Sequence, residues 1–268
     1  MFSWPPAFFI SKAPAKGAAD RQDKPVRRTE TLTLAHGGEL LTVRLRRNAA
    51  ARRLILRIRA DSGEPVLTIP ARTSLKDARA FLARHGEWIA VRLARLPERV
   101  PFIDGAVLPI RGVSCRIVGT GGTGRGRIVL TGDALHVPGE AAHLSRRVLD
   151  WLKSEARTDL AAAVARHGAA LGVKVGKLSV KDTKSRWGSC AASGALSFSW
   201  RLILAPPFVL DYLAAHEVAH RIEMNHSDRF WNVVARACPE WEAAERWLTA
   251  HGAGLHRYGP SGGRPTGC

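Results

Sequence analysis

Residues 206–220 constrain local structure more tightly than any other part of the chain. Pro206 or Pro207 suits the first turn of a helix, and Val209, Leu210, Leu213 and Ala214 follow at helical spacing. On such a helix His216 and His220 are four residues apart and therefore neighbours on one face. Glu217 stands about 100° round from His216, close to both rings without pointing the same way. The segment thus presents two imidazoles and one carboxylate together.

The remaining elements can be placed around it. Thr29–Ala35 and Glu39–Arg46 flank His36-Gly37-Gly38 and read as a hairpin, and residues 54–59 and 65–69 read as two further strands. In 43–46 and 56–59 apolar residues alternate with Arg44, Arg46, Arg57 and Arg59, which predicts strands with one buried and one positive face. Ser74 with Asp77 resembles a capping box, and the apolar period from Leu75 predicts one helix as far as Pro97, with Trp88 in the core. Residues 107–137 are strand-rich. Their stretch GTGGTGRG (119–126) lacks the Lys-Ser/Thr of a phosphate loop and reads as a hairpin loop. A long helix is expected over 140–170, strands over 177–181 and 196–204, and helices from Pro206 almost to the end. The fold class expected is α+β, a strand-rich N-terminal part with a C-terminal helix-dominated domain. The expected divisions are a mobile basic arm (1–28), a strand-rich domain with one helix (29–138), a catalytic-type domain (139–251) and a flexible tail (252–268).

Composition narrows the setting. The net charge is +18, with 26 Lys/Arg against 13 Asp/Glu in residues 1–150 and 15 against 10 beyond. That excess favours contact with polyanions through the N-terminal part. Cys115, Cys190, Cys238 and Cys268 form no CxxC pair and read as reduced thiols of a cytoplasmic protein. Met1–Ile10 is apolar but short, and Pro5 and Pro6 interrupt it, so it does not read as a signal peptide. No stretch has the length of a membrane span.

His216-Glu217-Val218-Ala219-His220 is an HExxH pattern, which alone also occurs on solvated helix faces. His226, six residues beyond His220, offers a third ligand. The spacing equals that of HExxHxxGxxH, but Glu223 stands in the glycine position. The chain must therefore turn differently, with Asn225 in the glycine role, or run on as helix to His226. Three neutral imidazoles would leave zinc one open position. Glu217 would then serve as general base towards a zinc-activated water. Arg186, Arg201 and Tyr212 are candidates to contact substrate and stabilise a developing oxyanion. The strand 196–204 would offer an edge to an extended peptide. Trp187, Trp200, Phe230 and Trp231 read as packing around the helix, Ser227 as a cap with Asp228 in the first turn, and the other seven histidines as surface or loop residues.

The segment Ser185-Arg186-Trp187-Gly188-Ser189-Cys190, followed in order by Trp200-Arg201-Leu202, Asp211-Tyr212, His216–His220, Asn225-His226-Ser227 and Phe230-Trp231, closely resembles the YgjP-like metallopeptidases, relatives of the SprT-like and WLM zincins. The resemblance runs from about Thr29 to His251 and is strongest after Val180. Val218, where the family usually has Leu, and Arg221 after the second histidine are mild departures. It implies a minimal zincin domain, zinc on three histidines, and hydrolysis of a peptide or protein substrate. Two rival readings share the metal. One is a nucleotide phosphoanhydride hydrolase or nucleic-acid-associated protease using the basic faces. The other is a zinc-stabilised binding module without activity, which Glu217 argues against, since a structural site needs no base.

Overall fold

The computed structural model describes residues 30–59, 63–95, 98–122, 126–183 and 186–260. The chain divides into two units, Met1–Pro97 and Glu98–Cys268. The basic arm expected over 1–28 lies outside the described residues. Among those residues no helix is long and apolar enough to cross a membrane.

The first unit contains β1 (Glu30–His36), β2 (Glu39–Arg47), β3 (Ile55–Ile58), β4 (Pro65–Ile69), α1 (Leu75–Arg84) and α2 (Gly86–Ala94). Gly37 and Gly38 take φ of 59° and 84° in the β1–β2 turn, a region open to glycine at no steric cost. The sheet order is β1-β2-β4-β3, with β2 and β4 parallel and the other pairs antiparallel. Leu32, Val43, Leu45, Leu67 and Ile69 pack from one face of the sheet against Ala78, Leu82 and Ile89 of the helices. Ser74 caps α1, its hydroxyl accepting the Asp77 N–H at 3.1 Å. The single helix expected as far as Pro97 is broken at His85, beside a glycine packed tightly on β1. A Cβ on Gly86 would lie 2.7 Å from His36 Nδ1. The break also turns Trp88 outward: it is 44% exposed and not in the core as expected.

The second unit begins with β5 (Val100–Pro101), β6 (Val107–Ile110), β7 (Val113–Gly121), β8 (Val129–Thr131) and β9 (Ala134–Pro138). The last four form a sheet of order β6-β7-β9-β8. Then follow α3 (Ala141–Leu171), β10 (Leu178–Lys181), β11 (Gly188–Cys190), β12 (Leu196–Ser199), a 3₁₀ turn (Trp200–Leu204), α4 (Pro207–Ala219), α5 (Asp228–Ala237), α6 (Trp241–Leu255) and β13 (Tyr258–Gly259). Each of the three larger sheets mixes parallel and antiparallel pairs.

The boundary expected near residue 138 lies instead at 97/98. Phe102, Leu108, Ile117, Leu135 and Val137 share one continuous core with Leu152, Leu160, Phe198, Trp200, Val209 and Phe230. Arg111 reinforces the join. It takes φ 51° at the β6–β7 turn, its N–H donates to Ile203 O at 2.7 Å, and its guanidinium donates to Asp159 and Glu155 on α3 at 2.7–2.8 Å. The tail is shorter than expected: α6 runs to Leu255 and β13 pairs with β5, so residues 252–259 are structured. The strand expected over 196–204 ends at Ser199. There the Ser199 hydroxyl accepts the Arg201 N–H and starts the 3₁₀ turn.

Candidate metal centre

Pro206 and Pro207 open α4 at its N-cap and first position, as their fixed φ favours. From Val209 onward nearly every residue is buried, so the helix is apolar all round, as a core helix should be. Asp211 is an early polar exception. Its Oδ1 accepts from His167 Nε2 at 2.8 Å and from Arg166, tying α4 to α3. His167 is therefore a core residue, 3% exposed, and so is His256, where the sequence suggested surface positions. Asp211→Ala would strand the buried His167. The expected loss is about 1–3 kcal/mol of stability, read as a lower midpoint of chemical denaturation; an unchanged midpoint would show that the bond is dispensable.

The helix stops at His220. Arg221 and Ile222 donate to carbonyls three residues back, a 3₁₀-type tightening, and Glu223 reaches Ala219 O at 3.1 Å. Glu223 then shapes the turn. Its carboxylate accepts the Asn225 N–H at 3.2 Å, and its carbonyl faces His220 Nδ1 at 3.1 Å. Both expected ways of reaching His226 are thus corrected. The helix does not run on, and Asn225 has no positive φ; Arg111 is the one non-glycine residue with positive φ among the described residues. Ser227 stands at the N-cap of α5 without a side-chain cap bond, and Asp228 is in the first turn.

The three imidazoles converge. His216 Nε2 and His226 Nε2 are 3.1 Å apart, and one nitrogen from each of the three rings lies within 4.8 Å of the others. A tetrahedral ion with bonds of about 2.0–2.1 Å wants nitrogens about 3.3 Å apart. Two of the remaining ring nitrogens are already engaged. Nδ1 of His216 faces Tyr212 Oη at 3.4 Å, and Nδ1 of His220 faces the Glu223 carbonyl, an obligate acceptor that puts the His220 proton on Nδ1 and leaves its Nε2 free to ligate. Burial holds the His216 imidazole well below its ordinary pKa, with the other two rings adding to the effect. Burial likewise lowers His220 to about 4 and lowers His226. All three rings are neutral at pH 7, the form that ligates. Phe230 backs the cluster, its ring centroid 4.5–4.9 Å from each imidazole.

Glu217 is 4% exposed, and its Oε2 has no hydrogen-bond partner among the described residues. Burial pushes its carboxyl up to about 8, against a smaller downward pull from Arg186. A buried, unpaired carboxyl is costly, and a cation held by the adjacent imidazoles is what would relieve it. Gly188 of β11 makes room for this side chain: a Cβ there would lie 2.4 Å from Glu217 Oε1 and 2.8 Å from Cδ. Gly188→Ala must push the carboxylate or β11 aside. We expect up to about 100-fold lower activity with metal content unchanged; full activity would mean that the carboxylate position does not matter.

The three substrate-contact candidates separate. Arg186 is exposed and is the basic residue whose charge Glu217 feels. Tyr212 is 2% exposed and faces His216; burial raises its phenol far above its ordinary pKa, so it stays protonated and orients a ring. Arg201 is 5% exposed and donates to Asp182 at 3.1 Å, to Leu255 O at 3.1 Å and to Tyr258 O, with Trp200 under its guanidinium. It is a tie between distant segments and not a donor open to substrate. Gly188, Glu223 and Phe230 were visible only as motif letters or as presumed packing; the glycine between Trp187 and Ser189 was the one signal that something approaches closely there.

An HExxH helix end with a third histidine from the following turn, all neutral and beside a buried carboxyl group, is a cluster that could hold a metal ion. The sequence matches the YgjP-like metallopeptidase domain over residues 52–251, and the chain belongs to that family. No curated protein matches it. Among solved structures it is similar to the metallopeptidase zymogen of Pyrococcus abyssi abylysin. The identity is 19% and the TM-score 0.30, over 34% of this chain and 93% of that one, a likeness too slight to inform the site.

Proposed function

We propose that the chain is a zinc-dependent metallopeptidase in which His216, His220 and His226 hold one zinc ion and Glu217 is the general base. The reading rests above all on the 3.1 Å approach of the His216 and His226 Nε2 atoms beside the unpartnered Glu217 carboxylate. Zinc bound there would supply a Lewis acid that polarises a carbonyl and acidifies a water. Glu217 takes the proton of the attacking water and returns it to the leaving amine. Arg186, exposed and close enough for Glu217 to feel its charge, would donate to the developing oxyanion.

The substrate is an extended peptide. The strand expected to bind it, 196–204, is in its β12 part the middle strand of the order β10-β12-β11 and has no free edge. β11 is an outer strand of that sheet and contributes Gly188 to the Glu217 pocket, so a peptide paired on β11 would pass the reacting groups. Cys115, Cys190 and Cys238 are free, which supports a reducing, cytoplasmic setting.

Metal content of the purified protein, measured by mass spectrometry beside His226→Ala, tests the centre. About one zinc per chain, sharply reduced in the variant and accompanied by chelator-sensitive cleavage of an unstructured protein, is the expected result. No zinc in the parent protein after zinc is supplied would refute the reading.

A further inference from the structure

We infer that the open face of the β1-β2-β4-β3 sheet is a docking surface for nucleic acid, gripped through its phosphates without reading its bases. The helices of this unit cover only the face bearing Leu32, Val43, Leu45, Leu67 and Ile69. Alternation places Thr31 and Thr33 of β1, Thr42, Arg44 and Arg46 of β2, Thr68 of β4 and Arg57 of β3 on the other. The register aligns them. Thr31 lies opposite Arg44, Arg44 opposite Val66, and Val66 opposite Arg57. Arg44 and Arg57 therefore stand two strands apart, about 9.5 Å, with Arg46 about 7 Å further along β2.

Charge balance singles out two of these side chains. Glu64 is paired with Arg44 at 2.7 Å and lies 4.0 Å from Arg59. Arg46 and Arg57 are exposed and meet no carboxylate among the described residues. The surface thus offers guanidinia interleaved with threonine hydroxyls, both of which donate to phosphate oxygens. It carries no aromatic side chain, so it lacks the stacking platforms on which single-strand binders hold bases, and contacts to phosphate dominate what it offers. Sheet-face recognition of this kind is independent of the metal centre.

The test is fluorescence anisotropy of the full chain with labelled single-stranded DNA, in mixed-sequence and oligo-dT forms, over a range of salt. The parent should bind both equally. In Arg46→Gln/Arg57→Gln the plot of log affinity against log salt should become shallower by about 1.4, about 0.7 for each phosphate contact removed. Lys76→Gln/Arg79→Gln, with the same charge change on exposed positions of α1, should keep the parent slope. Circular dichroism and metal content equal to the parent's show that the variants are folded. An unchanged slope in the sheet variant, an equal loss in the helix control, a strong base preference, or binding to phosphatidylserine vesicles in place of DNA would overturn the inference.

Discussion

Glu217→Gln is expected to keep its metal and to lose about 10²–10⁴-fold in turnover, the span that general base catalysis contributes. The substitution preserves the shape of the side chain and its place against Gly188, so the pocket need not rearrange. It replaces the basic carboxylate by an amide too weakly basic to accept the water's proton. The three imidazoles are untouched, and the groups that face Nδ1 of His216 and of His220 are Tyr212 and the Glu223 carbonyl, not Glu217. Metal content should therefore match that of the parent, which separates loss of chemistry from loss of the site. Turnover within a few-fold of the parent would exclude Glu217 as the base, even with zinc bound. Loss of metal together with activity would show that the carboxylate helps to hold the ion.

Phe230→Ala should cost about 3–5 kcal/mol of stability, because the ring is fully buried and its removal leaves a cavity. The cost falls at an unusual place. Phe230 is the surface against which all three imidazoles rest, and the Trp231 ring beside it stacks on Trp241 at 4.4 Å. Without that backing the rings can turn away from one another, so metal affinity should fall as well. Denaturant unfolding of the metal-free protein measures the first effect, and titration with a competing chelator the second. Phe230→Leu should recover much of the stability. If it also restored metal affinity in full, simple filling of the space, and not a flat ring, would be what the site needs. Metal affinity unchanged in Phe230→Ala would remove Phe230 from the account of the centre.

What could be read from residues alone depended on sequence distance. The histidine cluster was legible because a 3.6-residue period places His216 and His220 together, and six further residues are enough to bring His226 back. The way the chain returns was not legible. It turns on a backbone carbonyl and a carboxylate of Glu223 whose roles exist only once the helix has stopped. Arg201 looked like a substrate contact because it sits in a motif with other site residues. Its acceptors, 54 and 57 positions away, are invisible to any local reading. His167 and Asp211 met for the same reason, across 44 positions. The unit boundary was displaced because a strand-rich stretch looks alike whether it packs with the strands before it or the helices after it; the shared core of Ile117, Leu135, Phe198 and Trp200 decides.

The short β13 strand has a practical consequence for how this protein can be shortened or fused. Its pairing with β5 and the carbonyls of Leu255 and Tyr258, which receive the Arg201 guanidinium, put residues 255–259 inside the folded unit although they resemble a trailing linker. A stop codon placed after α6 would remove a closing strand and an acceptor of a buried cation together. A tag or partner therefore has to be joined beyond Gly259 to leave both in place.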